Sequence, residues 1–203
     1  MKFDSSISQA RMPSPLGTIA IAATAQGLAG LWFTEGQRYL PPELLTTPSA
    51  SPVAARPAGE AEEIEEVAQA APSRCPAFWP SAPDHPVLEK TRQQLAAYFA
   101  GERRDFELPL DLCSGTAFQQ TVWQALLQIA PGETVSYGQI SRRLGKPGAV
   151  RAVGAAIARN PISIIVPCHR VMGVSGALTG YAGGLERKTA LLRLEGALEE
   201  ALL

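Results

Sequence analysis

The side chains of this 203-residue chain best suited to nucleophilic or metal chemistry are three cysteines, Cys75, Cys113 and Cys168, and two histidines, His85 and His169. An odd cysteine count without CxxC spacing argues against a disulfide framework and against a zinc centre built on cysteine pairs. Two histidines add few further ligands, so neither a metal nor a cofactor is expected. What remains is thiol chemistry: in a reducing compartment a free cysteine is either buried and inert or reactive. Cys168 ends an apolar run, Ile162 to Val166, and is flanked by Pro167, His169 and Arg170. A thiol attacks as its thiolate and needs a base or a nearby positive charge, and His169 and Arg170 are candidates for both. Adjacency in sequence does not bring two side chains face to face. Taken alone, the pair reads first as a structural cysteine in a basic neighbourhood.

The elements that must position Cys168 follow from pattern. Gly17 to Ala23 and Leu28 to Phe33 read as two strands joined by a turn at residues 25–27, a hairpin. Residues 87–99 place Val87, Leu88, Leu95, Tyr98 and Phe99 near helical spacing, ending at Gly101, and Phe106, Leu108 and Leu110 suggest a short extended segment. From Thr116 a stripe of Phe118, Val122, Leu126 and Ile129 predicts a helix ended by Pro131 and Gly132. Ser136 is the expected N-cap of a helix through Leu144. A turn at 145–148 leads to a second helix over Ala149 to Ala158, and the pair fits a helix-turn-helix. A last helix is expected from Leu185, carrying Leu191, Leu192 and Leu194, with Gly196 after it.

Residues 37–83 differ from the rest. They hold nine of the seventeen prolines, ten alanines and an acidic run from Glu60 to Glu66. This composition predicts a flexible insertion, with a short helix around 60–70 as its one candidate element, and it makes Cys75 a poor candidate for a shaped site.

Charge is divided unevenly. Residues 1–133 hold nine Lys and Arg against fifteen Asp and Glu, whereas residues 134–195 hold nine against two. The net charge of −1 therefore conceals a basic C-terminal half, as expected of a surface that meets polyanions. Ordinary solvated helix charge is the plainer alternative. Hydrophobic content of 46% and charged content of 18% place the chain among globular proteins, long enough for one large domain or two small ones sharing a core. There is no run of eighteen apolar residues and no signal-peptide h-region in the first seventeen residues, so a cytoplasmic protein without membrane contact is expected.

Read together, Asn160-Pro161, the string IIVPCHRV, GYAGG at 180–184, Lys188, Leu191, Leu192 and Glu195 resemble the O6-alkylguanine-DNA alkyltransferase family. Val-Ser-Tyr-Gly at 135–138 and Arg-Ala-Val-Gly at 151–154 extend the resemblance from about Phe118 to Gly196; the N-terminal half resembles the family loosely, and the proline-rich insertion is a departure. The resemblance implies an α+β architecture. A small ribonuclease-H-like α/β domain over 1–112, carrying the insertion at about 37–83, would precede a mainly helical, winged-helix-like DNA-binding domain with a helix-turn-helix over 113–203.

It also implies roles. Cys168 matches the alkyl acceptor, His169 the residue that takes its proton through water, and Glu195 the carboxylate that orients the histidine. Asn160 matches the asparagine that organises the turn before the site, and Tyr137 the tyrosine that helps the base leave as a neutral species. Arg151 matches the arginine that fills the gap left by an extruded base. The small residues of its helix, Ala149 and Gly154 among them, would permit close approach to DNA, with tight helix packing as the plainer alternative. Tyr181, Gly183 and Gly184 match one wall of the base pocket. The implied partner is double-stranded DNA containing alkylated guanine, with O4-alkylthymine as a second candidate substrate, met by a monomer that is used once. Three alternatives stand beside this reading. A damage-sensing relative without transfer lacks the acceptor cysteine, which this chain retains. A regulator would carry an additional cysteine cluster, and a thiol hydrolase would not account for Arg151, Tyr137 or the basic half.

Overall fold

The structure is a computed structural model that describes residues 3, 6–44 and 79–199. Its N-terminal part is a three-stranded antiparallel sheet in the order β1 (Ser8–Met12), β2 (Ile19–Thr24), β3 (Gly27–Phe33). The expected hairpin is β2–β3, and β1 adds a strand that begins ahead of the stretch read as extended. Alternation along β2 sends Ile19, Ile21 and Ala23 into the main core and Ala20 and Ala22 to a second, smaller cluster on the other face. Gly30 is there because the indole of Trp32 folds over it: a Cβ at residue 30 would lie 1.7 Å from that ring.

The first helix, α1 (Pro86–Phe99), starts at His85, whose imidazole accepts from the Val87 N–H, and lays Leu88, Leu95 and Tyr98 against the sheet. Gly101 follows in the left-handed region that glycine adopts without penalty. The expected extended segment at 106–110 runs beside the sheet, its Leu110 bridging to Leu28.

The C-terminal part is helical. The helices are α2 (Ala117–Leu126), α3 (Tyr137–Arg143), α4 (Val150–Ala158) and α5 (Leu185–Leu194). Helices α2 and α3 open with complete capping boxes, Thr116 with Gln119 and Ser136 with Gln139, each satisfying backbone donors that a helix start leaves without partners. Helix α4 packs on both α2 and α3. Of the expected α2 stripe, Val122, Leu126 and Ile129 are buried while Phe118 is only partly so. Trp123, outside that stripe, is fully buried and donates its Nε1–H to the Ala156 carbonyl at 2.9 Å. Two short strands, β4 (Val135–Ser136) and β5 (Val171–Met172), pair in parallel.

The insertion expected over 37–83 needs correcting at both ends. Residues 37–44 and 79–83 are built into the structure: Pro42–Leu44 form a 3-10 turn, Leu44 and Trp79 are buried against Trp32, and Ser81 bridges to Gln9. Averaged composition concealed the apolar anchors Leu40, Leu44 and Trp79, which cover the outer face of the sheet. Residues 45–78, with the suggested helix at 60–70 and Cys75, lie outside the described residues.

Candidate active site

The site is hung from the free edge of β3. Leu31 donates its N–H to the Pro161 carbonyl at 2.9 Å and accepts from Ser163 N–H at 3.0 Å, so a sheet edge is closed by the turn that leads to the cysteine. That turn is tight enough to hold Ile164 at φ 69°. A β-branched residue there is costly, of order 1–3 kcal/mol, and persists only when its surroundings over-determine it. Asn160 supplies much of that determination. Its side-chain oxygen accepts from Ile162 N–H at 3.0 Å, and its amide group donates to the carbonyls of Val166 (2.8 Å) and Ile162 (3.2 Å) and to Cys168 Sγ (3.1 Å).

Cys168 opens a single 3-10 turn, Cys168–Arg170, and is only 4% exposed. Burial pushes its thiol up, and the Asn160 hydrogen bond and the Lys188 charge oppose that rise without cancelling it. The resting group is therefore a thiol, and attack needs a base. His169 is fully buried; desolvation lowers its pKa despite the neighbouring carboxylate, so it rests neutral. Its Nε2 lies 3.0 Å from Glu195 Oε1, and its Nδ1 has no hydrogen-bond partner among the described residues. With the Nε2 proton directed at the carboxylate, Nδ1 presents a lone pair, which is the tautomer a base requires.

Glu195 caps the C-terminal end of α5 and is a four-way acceptor. Burial raises its pKa, but hydrogen bonds from Arg170 and His169 outweigh this and hold it at about 2. Arg170 donates Nε–H to Oε2 at 2.7 Å and an Nη2–H to Oε1 at 2.8 Å, and Tyr98 donates its phenolic hydrogen to Oε1 at 2.9 Å. Burial, with Glu195 beside it, pushes the Tyr98 phenol far up, so it stays a donor. Arg170 therefore does not supply charge to the thiol, as its place in the sequence suggested; it is turned away to Glu195 and the Ile129 carbonyl. The charge near Cys168 comes from Lys188, a buried ammonium that donates to the Val171 and Thr179 carbonyls at 2.6 and 2.8 Å and is lowered to about 8 by burial.

Parallel pairing of Val135 with Val171 sets the start of α3 next to the cysteine turn. Tyr137, the first residue of α3, thereby joins Cys168, Gly154, Tyr181 and Gly184 in lining a cavity of about 540 Å³. Its hydroxyl approaches the Gly180 carbonyl at 3.4 Å, and burial raises its pKa. Gly183 lies behind the wall, where a Cβ would come within 2.8 Å of the Tyr181 ring, so a side chain there would have to displace that ring. At Gly154 a Cβ would meet Tyr137 at an ordinary 3.7 Å, so sterics alone do not demand glycine.

The structure thus brings Cys168, His169, Glu195 and Asn160 into one cluster and Tyr137, Gly154, Tyr181 and Gly184 into the adjoining pocket. Arg151 and Ala149 lie outside both: Arg151 is exposed on α4, and Ala149 is the N-cap of that helix. Sequence reading missed Tyr98 and the orientation of Arg170. It also missed Arg38 and Tyr39, which line the cavity. An arginine inside the run of buried residues was a signal that Arg170 needs a buried carboxylate. Nothing local connects Tyr98 to a carboxylate 97 positions away. Among the described residues no group of three or more His, Cys, Asp or Glu side chains could hold a metal ion, and no helix is long and apolar enough to cross a membrane.

Two family models match this chain: the ribonuclease-like domain of 6-O-methylguanine DNA methyltransferase over residues 7–112, and the DNA-binding domain of the same proteins over 117–197. A methylated-DNA–protein-cysteine methyltransferase of Mycobacterium leprae is 61% identical over 113 residues, 56% of this chain and 68% of that protein. One from Methanosarcina acetivorans is 57% identical over 110 residues, 54% of this chain and 70% of its own. The crystal structure of Mycobacterium tuberculosis O6-methylguanine methyltransferase superposes with a TM-score of 0.70 at 39% identity, covering 96% of each chain. A structure of the M. tuberculosis protein in complex with DNA gives 0.67 at 41% identity, covering 92% of this chain and 91% of that one. With both domains matched in order along its length, this chain belongs to the 6-O-methylguanine DNA methyltransferase family.

Proposed function

We propose that this protein repairs DNA by direct reversal, moving the alkyl group of O6-alkylguanine onto Cys168. The observation that carries this reading is the recessed Cys168 thiol, which borders a cavity and is followed by a neutral His169 whose far nitrogen is held by Glu195. Thiol, base and orienting carboxylate form an activated nucleophile of the triad kind.

The steps follow from the groups. The thiol proton passes to His169 Nδ1 through a water, and Glu195 stabilises the imidazolium. The thiolate attacks the alkyl carbon; an S–C bond forms and the C–O6 bond breaks. Tyr137 favours departure of the base as neutral guanine, which takes up one proton for the one the thiol released. A thiol only 4% exposed cannot reach a base inside a duplex, so the damaged nucleotide must leave the stack at a cost of a few kcal/mol. Arg151, exposed on α4, would fill the gap, and the small residues Ala149 and Gly154 would let the helix approach the duplex. In this reading residues 1–112 form the supporting domain and residues 113–203 the DNA-binding domain. A monomer suffices for this reading, because one chain supplies every group named. The cytoplasm suits it, because Cys168 must remain a thiol.

The product is a thioether, and no described group is placed to cleave it, so each molecule acts once. Incubation with excess duplex containing O6-methylguanine should stop at one methyl group transferred per chain. Continued turnover past one equivalent would contradict the acceptor role of Cys168.

A further inference from the structure

One wall of the pocket comes from the half of the chain that sequence reading treated as scaffold and insertion. Directly after β3, residues 35–39 cross to the cavity as a strap fixed at four points. Arg187 on α5 donates to the carbonyls of Glu35 (2.8 Å) and Gly183 (2.9 Å), tying the strap to the pocket wall. The Gln37 side chain turns inward, accepting from Phe33 N–H at 2.8 Å and donating to Ser163 Oγ at 3.3 Å. The Arg38 N–H bonds the Ala182 carbonyl at 2.8 Å. At the tip Tyr39 is held at φ 60°, half-exposed, with the Arg159 guanidinium 5.2 Å from its ring centre. A non-glycine residue in the left-handed region, pinned this firmly at the edge of a reactive pocket, points to a functional constraint.

The other walls are set by helices α3 and α4 and by the 180–185 loop. A cavity of about 540 Å³ falls within the range, roughly 300–1,000 Å³, of sites that hold drug-sized ligands, more than one methyl group on a purine requires. The attack geometry fixes the alkyl carbon at Sγ, so any larger substituent must find its room elsewhere in the cavity.

We propose that the strap at 35–39 is a specificity element of the transfer site, with Tyr39 limiting the size of the O6 substituent that can be presented to Cys168. The inference rests on the alkyl-transfer reading and adds to it the feature that selects among substrates. Arg187 and Gln37 act as positioning residues, holding the strap where Tyr39 can restrict the cavity.

The test compares transfer rates from duplexes containing O6-methylguanine and O6-benzylguanine. Tyr39→Gly suits the left-handed backbone, so the fold should hold, and its melting temperature checks this. The benzyl-to-methyl rate ratio should rise about tenfold in Tyr39→Gly and fall in the bulkier Tyr39→Trp. An unchanged ratio in both variants, or equal loss on both substrates, would overturn the proposal. Methyl transfer by the unaltered chain is the control: its absence would instead remove the functional reading on which the proposal stands.

Discussion

The Cys168–His169–Glu195–Arg170 cluster and the outer face of α4 lie close in sequence and are built on opposite principles. The cluster is buried, and every charge in it is matched: Glu195 accepts from three different side chains, and Arg170 also donates an Nη1–H to the Ile129 carbonyl. The face of α4 that carries Arg151, Ala152, Ala155 and Arg159 is exposed, and Arg151 and Arg159 are its only charged groups. Closed geometry serves proton transfer, because removing water strengthens each electrostatic contact and fixes the histidine tautomer. Open geometry serves contact with a polyanion, because an exposed guanidinium such as that of Arg151 can meet phosphates or enter a groove, while Arg159 lies against the Tyr39 ring. A lesion in the cluster should therefore cost stability and chemistry together, whereas a lesion on α4 should cost only what depends on duplex DNA.

The largest effect is expected from Arg170→Met. Removing one partner of a buried ion pair typically destabilises by about 3–5 kcal/mol, because the other charge is left uncompensated. The pH dependence has a definite sign. In the intact protein Glu195 is held at about 2, below its ordinary value, so the stability it provides is present above that ordinary value and fades as pH falls towards 2. Without Arg170, burial dominates and lifts the carboxylate. The gap between the two proteins should then be widest near neutral pH and narrow in acid. Urea unfolding at pH 7 and pH 4 measures this, and a gap that widened in acid would break the account of Glu195. Transfer should fall in the same variant, since His169 loses its fixed orientation.

A smaller and more selective effect is expected from Arg151→Ala. Transfer from an alkylated duplex should fall by about tenfold, while reaction with the free O6-benzylguanine base stays within about twofold. Stability should move by less than about 0.5 kcal/mol, as for other exposed positions. Equal losses on both substrates would assign Arg151 to the chemistry and erase the contrast between cluster and face.

The sequence made local features legible and long-range ones illegible. The Ser136 cap, the hairpin before Phe33 and the α4–α5 segments follow from residue types within a few positions, whereas the turn around Asn160 came only with the family resemblance. The string around Cys168 carried the family resemblance, but not the direction in which each side chain points. Arg170 faces away from the thiol while Lys188, eighteen positions nearer the end of the chain than Arg170, supplies the nearby charge. Tyr98 and Tyr39 reach the site only because the sheet and α1 pack against the C-terminal helices, and no period in the sequence encodes that docking. Composition misled at the edges of the insertion, where three apolar anchors were diluted by proline and alanine.

The central claim is that the buried cluster activates Cys168 and no other thiol. Peptide mass mapping after exposure to a duplex containing O6-methylguanine tests it most directly. The peptide bearing Cys168 should gain the mass of one CH2 group, while those bearing Cys113 and Cys75 stay unchanged. An unmodified Cys168, or a methyl group on either of the other two cysteines, would contradict the account.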